Sequence, residues 1–314
     1  MTAASIAGIG SAIPEARLTN AELEARLDTS DEWIVARTGI HERRVASPSE
    51  TSGTLAVEAS AAAIKDAGLV PDDVNLLVVA TTTPDQALPQ TSALVHEGLG
   101  LRCGAFDVSA ACAGFVHALV VGATLLDTGG LDAVVVVGSE TLTRIVDPDD
   151  RATVPLFGDG AAAVVLRPAT PGYGLQSWDL GCDGSASGIL AIPPGERFIR
   201  MEGQEVFRRA VRAVVASANN ALHAAGCTAG DVDLFVPHQA NARIISMAGD
   251  RLGIPSERTM VNVDRYGNTS AASVPLALAE AADDGRLHDG DLVLLSGFGA
   301  GMTWATAILR WGGA

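Results

Sequence analysis

The chain has 314 residues, of which 48% are hydrophobic and 4% aromatic, which is enough for one large domain or two fused similar ones. A net charge of −16 argues against nucleic acid and against an anionic membrane surface as general partners. The four cysteines fall at no metal-ligand spacing and the first ten residues carry no secretory leader, so we expect a cytoplasmic protein with no bound metal.

Strands and helices are predicted to alternate along the first half of the chain. Apolar runs predict strands at residues 5–13, 74–80, 105–108, 133–137 and 161–166, and helices at 21–27, 51–67, 93–98 and 115–126. The strand at 74–80 is apolar throughout, which is typical of a buried parallel sheet. The alternation favours α/β layers.

The second half of the sequence repeats the first. Residues 65–79 match residues 223–237 at an offset of 158, and residues 130–138 match residues 289–297 at an offset of 159. Two copies of one α/β unit explain both matches.

We therefore divide the chain into an N-terminal half, residues 1–168, and a C-terminal half, residues 169–314. The same offset places Ser270 opposite Cys112, so that two helix N-termini face one shared site.

Cys112 lies where the helix predicted at 115–126 begins. Its neighbours are small, so a ligand can approach it closely. The partial positive charge of a helix N-terminus favours a thiolate, and we expect the pKa of this thiol to fall. A buried structural cysteine is the alternative interpretation.

Two further stretches present reactive side chains after a strand or in a turn. His238 comes just past an apolar strand, at the edge where open α/β sheets bind ligands. Asn268 lies in a glycine-containing turn before a helix. A structural histidine and a helix cap are the alternatives.

Together with Cys112, His238 and Asn268 make a chemically coherent set. A thiolate can take an acyl group from a thioester, because one thioester is exchanged for another. A neutral imidazole and a carboxamide can both donate to one oxygen as it gains charge, as in an enolate formed by decarboxylation. The glycine-rich turn at 296–301 offers backbone N–H groups for an oxyanion hole, or is simply a tight strand connection.

Trp33 and Arg37 lie close together in an otherwise acidic chain. They form either a solvated face around a core tryptophan or a flat, cationic platform for a phosphorylated aromatic ligand.

With these motifs the sequence resembles β-ketoacyl-acyl-carrier-protein synthase III, the initiating condensing enzyme of the thiolase-like superfamily, over nearly the whole chain. The resemblance rests on residues 31–34, 37–40, 107–115, 157–160, 237–241, 267–273 and 297–301. It implies a thiolase-like five-layered α-β-α-β-α fold of two pseudo-symmetric halves and a homodimer.

The resemblance also implies roles for individual residues. Cys112 is the acylated nucleophile, His238 and Asn268 stabilise the enolate, and the N–H groups of Cys112 and Ala300 form the oxyanion hole. The positions that match coenzyme A contacts are Trp33, Arg37, Arg151, Gly203, Gln204, Phe207 and Asn241. Those that match the acyl pocket are Leu88 and Phe157.

The carrier protein of this family is acidic, so docking on this acidic chain needs a local basic patch. We expect it at the tunnel mouth, from Arg208, Arg209, Arg212, Arg243 and Arg251. Leu88 stands where members that use acetyl groups often have an aromatic residue, which favours a longer or branched primer. Gln204 replaces a common Asn, residues 189–198 form a shorter segment than in several relatives, and Tyr266 is unusual.

The implied reaction is decarboxylative Claisen condensation of an acyl-CoA with malonyl-acyl-carrier protein, initiating fatty acid synthesis. No cofactor is expected, since the coenzyme A thioester is a substrate. Alternatives of the same fold are a starter-unit synthase of a polyketide pathway, an acyltransferase that does not condense, and a non-catalytic partner subunit. A cysteine hydrolase also uses Cys, His and Asn, but neither the repeat nor the glycine-rich turns fit such folds.

Overall fold

The computed structural model describes residues 4–314. Its strands are β1 (Ala4–Ala12), β2 (Arg17–Thr19), β3 (Glu42–Arg44), β4 (Leu76–Ala80), β5 (Gly104–Val108), β6 (Val134–Thr141), β7 (Asp159–Pro168), β8 (Gly174–Cys182), β9 (Leu190–Ala191), β10 (Arg200–Met201), β11 (Leu234–Pro237), β12 (Leu292–Gly299) and β13 (Thr303–Arg310). Its helices are α1 (Asn20–Glu24), α2 (Asp31–Thr38), α3 (Ser52–Asp66), α4 (Thr91–Leu99), α5 (Gly114–Asp127), α6 (Gly203–Ala225), α7 (Ala242–Leu252), α8 (Val263–Tyr266) and α9 (Ser273–Asp283).

Two large sheets share one strand order. The first runs β1-β7-β6-β4-β5, and the second, read from its other edge, runs β8-β13-β12-β11. In both, the first two pairings are antiparallel (β1 with β7 and β7 with β6; β8 with β13 and β13 with β12) and the third is parallel (β6 with β4; β12 with β11). The first sheet has one further strand, β5, which is parallel to β4. The common order is what two copies of one α/β unit would produce.

The two sheets enclose a middle layer of helices. Helices α5 and α9 lie between the sheets. Their apolar side chains, including Phe115, Leu119 and Leu278, are buried in the core that both sheets share. Each such side chain contributes about 1.5–3 kcal/mol by leaving water. Helix α3 packs on the outer face of the first sheet, and α6 and α7 pack on the outer face of the second. This is the predicted five-layered α-β-α-β-α fold.

Small residues allow helix α3 to lie directly on β1. A side chain at Gly10 would place its Cβ 2.4 Å from the Ala63 nitrogen, so only glycine permits this contact. Within residues 4–314, no helix combines the length and the apolar character needed to cross a bilayer.

Several predicted elements form close to their predicted positions. The helix predicted at 115–126 is α5, the strand predicted at 74–80 is β4, and the strand predicted at 161–166 is β7, which extends to Pro168. The long helix α6 was not among the predicted elements. The proposed boundary after residue 168 coincides with the end of β7, and the division into halves remains a prediction.

The internal repeat is visible in two short turns that precede the middle helices. Ala111 has φ of 47° before α5, and Ser270 has φ of 46° before α9. These positions are 159 residues apart, so Ser270 corresponds to Ala111, and Ala271 corresponds to Cys112. The prediction that placed Ser270 opposite Cys112 was therefore wrong by one residue, because the offset changes from 158 to 159 between the matched segments.

Candidate active site

Cys112 lies in a single 3-10 turn, Ala111–Ala113, between β5 and α5. The end of β12 approaches it closely, because a side chain at Gly299 would place its Cβ 2.5 Å from the Cys112 nitrogen. The backbones of Gly299 and Cys112 are thus in contact only because residue 299 is glycine.

The expectation that the pKa of the Cys112 thiol is lowered was wrong. Its side chain is buried, with 8% exposed. Burial raises the pKa of the Cys112 thiol to about 12, and a hydrogen bond with Ser270 opposes this rise only in part. The prediction considered the helix N-terminus alone and missed the loss of solvent around the sulfur. The resting residue is therefore a neutral thiol.

His238 follows β11 directly, as predicted, and its side chain is 2% exposed. Burial lowers the pKa of His238 to about 3, so the imidazole is neutral. Its Nδ1 lies 2.5 Å from the Ser273 hydroxyl, which accepts the Gln239 N–H at 3.4 Å. Donation from that hydroxyl to Nδ1 would place the ring proton on Nε2.

Hydrogen bonds of its backbone and of its side chain fix the position of Asn268. Its N–H donates to the Leu156 oxygen at 2.7 Å, and its oxygen accepts from Gly158 at 3.0 Å. The side-chain Oδ1 accepts the Ser270 N–H at 2.8 Å. The amide Nδ2 therefore remains as a donor beside the cavity that His238 also lines.

Two cavities, each of about 120 Å³, meet at Cys112. The apolar cavity is lined by residues that include Thr82, Leu142, Ile145, Ile192, Ile199, Ser270 and Ala300. The tunnel cavity is lined by residues that include Gly203, Val206, Phe207, His238, Asn241, Asn268 and Phe298. Phe157 lines both. A group carried on the Cys112 sulfur can therefore occupy one cavity while a second reactant occupies the other.

The predicted cationic platform is assembled around Trp33. The guanidinium carbons of Arg37 and Arg151 lie 4.7 and 4.9 Å from the indole centroid, within the range of cation–π contact. Arg151 also pairs with Asp28 at 3.1 Å. The Asn241 amide donates to the Arg37 oxygen at 2.9 Å, which joins the platform to a residue of the tunnel cavity.

Like the three residues of the platform, Gln204 and Leu88 line neither cavity. Gln204 lines a separate surface pocket with Arg208, next to Gly203, which also lines the tunnel cavity. Leu88 is 83% exposed and lines neither cavity of its own chain.

The arginines proposed for carrier docking are only partly brought together. Arg243 stacks on Phe207, with its guanidinium carbon 5.5 Å from the ring centroid, and Phe207 lines the tunnel cavity. Arg208 pairs with Glu205 at 2.7 Å, so its charge is locally balanced. Arg251 lies eight residues beyond Arg243 on α7, about 12 Å along the helix.

The sequence analysis missed the polar residues that support the three central side chains. These are Ser270, Ser273 and Glu140. Glu140 could have been found by the rule that identified His238, since it follows the apolar run of β6 near the carboxyl end of that strand. Within residues 4–314 no cluster of three or more His, Cys, Asp or Glu side chains is arranged to hold a metal ion.

Comparison with known proteins gives a consistent set of relatives. Residues 106–184 match the family model described as 3-oxoacyl-[acyl-carrier-protein] synthase III, and residues 222–311 match the model of its C-terminal part. A β-ketoacyl-[acyl-carrier-protein] synthase III of Geobacillus kaustophilus is 46% identical, over 98% of this chain and 99% of that protein.

Solved structures of the same family are similar to this chain over nearly its whole length. The synthase III of Thermus thermophilus has a TM-score of 0.95 and 48% identity, and covers 99% of this chain and 100% of its own. The priming β-ketosynthase of the R1128 polyketide pathway has a TM-score of 0.92 and 40% identity, and the match covers 99% of this chain and 97% of that protein.

Proposed function

Because the chain belongs to the 3-oxoacyl-[acyl-carrier-protein] synthase III family, we propose that it condenses an acyl-CoA primer with malonyl-acyl-carrier protein. The products are β-ketoacyl-carrier protein, coenzyme A and carbon dioxide, and the reaction initiates fatty acid synthesis. One observation carries the proposal: Cys112, His238 and Asn268 line one cavity, where the neutral imidazole and the Asn268 Nδ2 can both donate to a substrate oxygen.

In the first step, the Cys112 sulfur attacks the acyl-CoA carbonyl. The new sulfur–acyl bond forms as the bond between the acyl group and coenzyme A breaks, and the thiol proton is transferred to the departing coenzyme A. The N–H groups of Cys112 and Ala300 stabilise the oxyanion of the tetrahedral intermediate. The contact of Gly299 with Cys112 supports this role, because it holds the β12 turn against the nucleophile.

In the second step, loss of carbon dioxide from the malonyl thioester leaves an enolate. The His238 Nε2–H and the Asn268 Nδ2–H donate to its oxygen, and its carbon attacks the acyl group on Cys112. The bond between the acyl group and the sulfur then breaks, and Cys112 leaves as a thiolate that takes up a proton from solvent. No general base is required, because decarboxylation itself supplies the electron pair. The neutral state of His238 suits this step, since the imidazole acts as a fixed hydrogen-bond donor.

The substrate contacts follow the path from platform to nucleophile. We place the nucleotide end of coenzyme A at Trp33, Arg37 and Arg151, and its pantetheine arm along the tunnel cavity past Phe207 and Asn241. Gly203 lines the same cavity. Gln204 contributes at the surface near its opening.

We propose a homodimer in which Leu88 of one protomer helps to close the acyl pocket of its partner. Leu88 is exposed in the single chain, as such a role requires. Strand β5 is an edge strand of the first sheet and is free to pair with a second copy. All four cysteines are free, which agrees with a cytoplasmic location.

A priming role in a polyketide pathway is the second candidate. The similarity to the R1128 priming ketosynthase supports it, and so does Leu88, whose small side chain favours a primer longer than acetyl. The two functions use the same chemistry and differ in primer and carrier protein.

Mass spectrometry of the reaction with malonyl-carrier protein and acyl-CoA tests the proposal. We expect β-ketoacyl-carrier protein to form with one carbon dioxide for each coenzyme A released. Transfer of the acyl group to the carrier without carbon dioxide would instead identify a non-condensing acyltransferase. Comparing fatty-acid and polyketide carrier proteins separates the two candidate pathways.

A further inference from the structure

A third cavity, which we call the outer cavity, has no part in the proposed function. Its volume is about 490 Å³, within the range of about 300–1,000 Å³ that is usual for small-molecule sites. Its apolar lining consists of Leu18, Val45, Val146, Val154, Phe157 and Phe198. None of the platform residues Trp33, Arg37 and Arg151 lines it, so it lies apart from the proposed coenzyme A site.

A wall of two chain segments separates the outer cavity from the apolar cavity at Cys112. Ile145 and Ile199 line the apolar cavity. Their sequence neighbours Arg144, Val146 and Phe198 line the outer cavity. The Ile199 N–H donates to the Ile145 oxygen at 2.9 Å, which joins the two segments. The outer cavity is therefore a separate site on the far side of this wall.

The floor of the outer cavity is the face of a packed apolar cluster. Val146, Val154 and Phe157 belong to that cluster and are at most 9% exposed. Leu18 and Phe198 are half-buried and leave part of their surface in water. A hydrocarbon chain on this floor would cover that surface, and each fully buried methylene raises affinity about fourfold.

Polar groups that could recognise a sugar or a base are scarce in the outer cavity. Within the described part of the chain, Thr143 is the one neutral polar side chain that lines it. The Thr143 hydroxyl donates to Asp159 at 2.6 Å, so it is already bound. The cavity therefore suits a ligand whose body is apolar.

Three exposed arginines, Arg26, Arg144 and Arg197, complete the lining. None of them forms an ion pair within residues 4–314. No Asp or Glu side chain of this part of the chain lines the cavity, although the net charge is −16. The Arg144 Nη2 donates to the Ser47 and Glu50 backbone oxygens at 3.0 and 2.5 Å. This guanidinium is therefore held in place by one nitrogen, and its Nε and Nη1 remain for a ligand.

Two carboxylates lie within electrostatic range of these arginines, and both are bound to other groups. Glu22, which interacts with Arg26, accepts a backbone N–H at 2.7 Å. Asp159, which interacts with Arg144, is 1% exposed and accepts a backbone N–H at 2.8 Å. Neither forms an ion pair with an arginine of the outer cavity, so the three guanidinium groups keep their capacity for an anion.

We propose that the outer cavity is a binding site for a fatty carboxylate, with the hydrocarbon tail on the apolar floor and the carboxylate among the three arginines. Arginine binds carboxylates through paired hydrogen bonds. An apolar floor with an unpaired cationic rim matches a ligand that has one anionic end and an apolar body. The site is additional to the two cavities that meet at Cys112, and its occupation requires no reaction at that residue.

Isothermal titration calorimetry of the full-length protein with octanoate tests the site. We expect the double variant Arg26→Gln/Arg197→Gln to bind octanoate about tenfold more weakly, because each exposed ion pair contributes up to about fivefold. Octanamide keeps the tail and lacks the charge, so it should bind the unmodified protein about tenfold more weakly than octanoate. An affinity that is unchanged in the double variant, or equal for octanamide, would overturn the proposal. Absence of octanoate binding would also overturn it and is the result expected if a second copy of the chain covers the cavity.

Arg167→Gln is the matched control for loss of a positive charge. Arg167 is exposed, forms no ion pair within residues 4–314 and does not line the outer cavity. It should bind octanoate as the unmodified protein does. A tenfold loss in this control would indicate a general effect of net charge and would overturn the assignment to the outer cavity.

Photo-crosslinking locates the ligand independently of its affinity. An octanoate analogue with a diazirine on its tail, followed by peptide mapping, should label Leu18, Val45 or Phe198, which line the outer cavity and neither of the other two. Labelling confined to residues of the apolar or the tunnel cavity, such as Ile192 or Val206, would overturn the proposal. Neither measurement uses an acyl-CoA or a carrier protein, so the result does not depend on the proposed function.

Discussion

The contact between Gly299 and Cys112 gives the sharpest prediction of how the site depends on its backbone. In Gly299→Ala the added methyl would lie 2.5 Å from the Cys112 nitrogen, 0.9 Å inside the 3.4 Å of ordinary van der Waals contact. It would also lie 3.0 Å from the Ala111 side chain. The clash involves backbone, so the turn that carries Cys112 must move to relieve it.

The size of the effect follows from this displacement. A shift of about 1 Å in a reacting group costs about 100-fold in rate, and removing one oxyanion-hole donor costs about 100- to 1000-fold. We therefore expect Gly299→Ala to slow acylation of Cys112 by about 100- to 1000-fold. Overpacking should also lower the free energy of unfolding by about 1–3 kcal/mol, which leaves the protein folded at 25 °C.

The assay is rapid-quench mass spectrometry of the acyl-enzyme, with thermal unfolding measured in parallel. Gly184→Ala is the matched control, because an added methyl there meets nothing within 4 Å. It should acylate at the unmodified rate. A folded Gly299→Ala protein that acylates as fast as the control would refute the account of the oxyanion hole.

Three further predictions follow from the site. Ser273→Ala removes the hydroxyl that contacts the His238 Nδ1, so condensation should slow about tenfold while acyl loading of Cys112 is unchanged. An equal loss of both rates would contradict the role of Ser273 in positioning His238. His238 is neutral when buried, so the free energy of unfolding should fall as the pH drops below 6.5, by up to about 1.4 kcal/mol per pH unit. Denaturant titrations from pH 7 to 5 should show a smaller fall of the free energy of unfolding with pH in His238→Ala. Arg243→Glu should raise the KM for malonyl-carrier protein about tenfold with a small effect on acyl-CoA loading, and equal changes in both would count against docking at this surface.

The layered fold and the residues Cys112, His238 and Asn268 could be predicted because their sequence patterns are local or occur twice in the chain. An apolar run identifies β4, and the two matched segments identify the second α/β unit. The rule that polar residues at strand ends meet at one sheet edge brought His238 to the site. Helix α6 was missed although its buried apolar side chains, among them Val206, Ala210 and Val214, recur at helical spacing.

Properties that depend on burial could not be predicted in the same way. The high pKa of Cys112 arises from the packing of β12 and of the Ser270 turn around it. Glu140 contacts Thr82 and Ala271, which are 58 and 131 positions away. Contacts between residues so far apart in sequence leave no local pattern. The sequence alone therefore identified Cys112 as the nucleophile but did not show the surroundings that set its pKa.

The most direct test of the central claim is intact mass after incubation with acyl-CoAs from acetyl to medium-chain and branched, with Cys112→Ala beside it. We predict a mass increase of one acyl group that is absent in the variant, with the largest yields for primers longer or more branched than acetyl, in keeping with Leu88. A protein that acquires no mass from any acyl-CoA, or a Cys112→Ala variant that still does, would contradict the assignment of Cys112 as the acyl carrier.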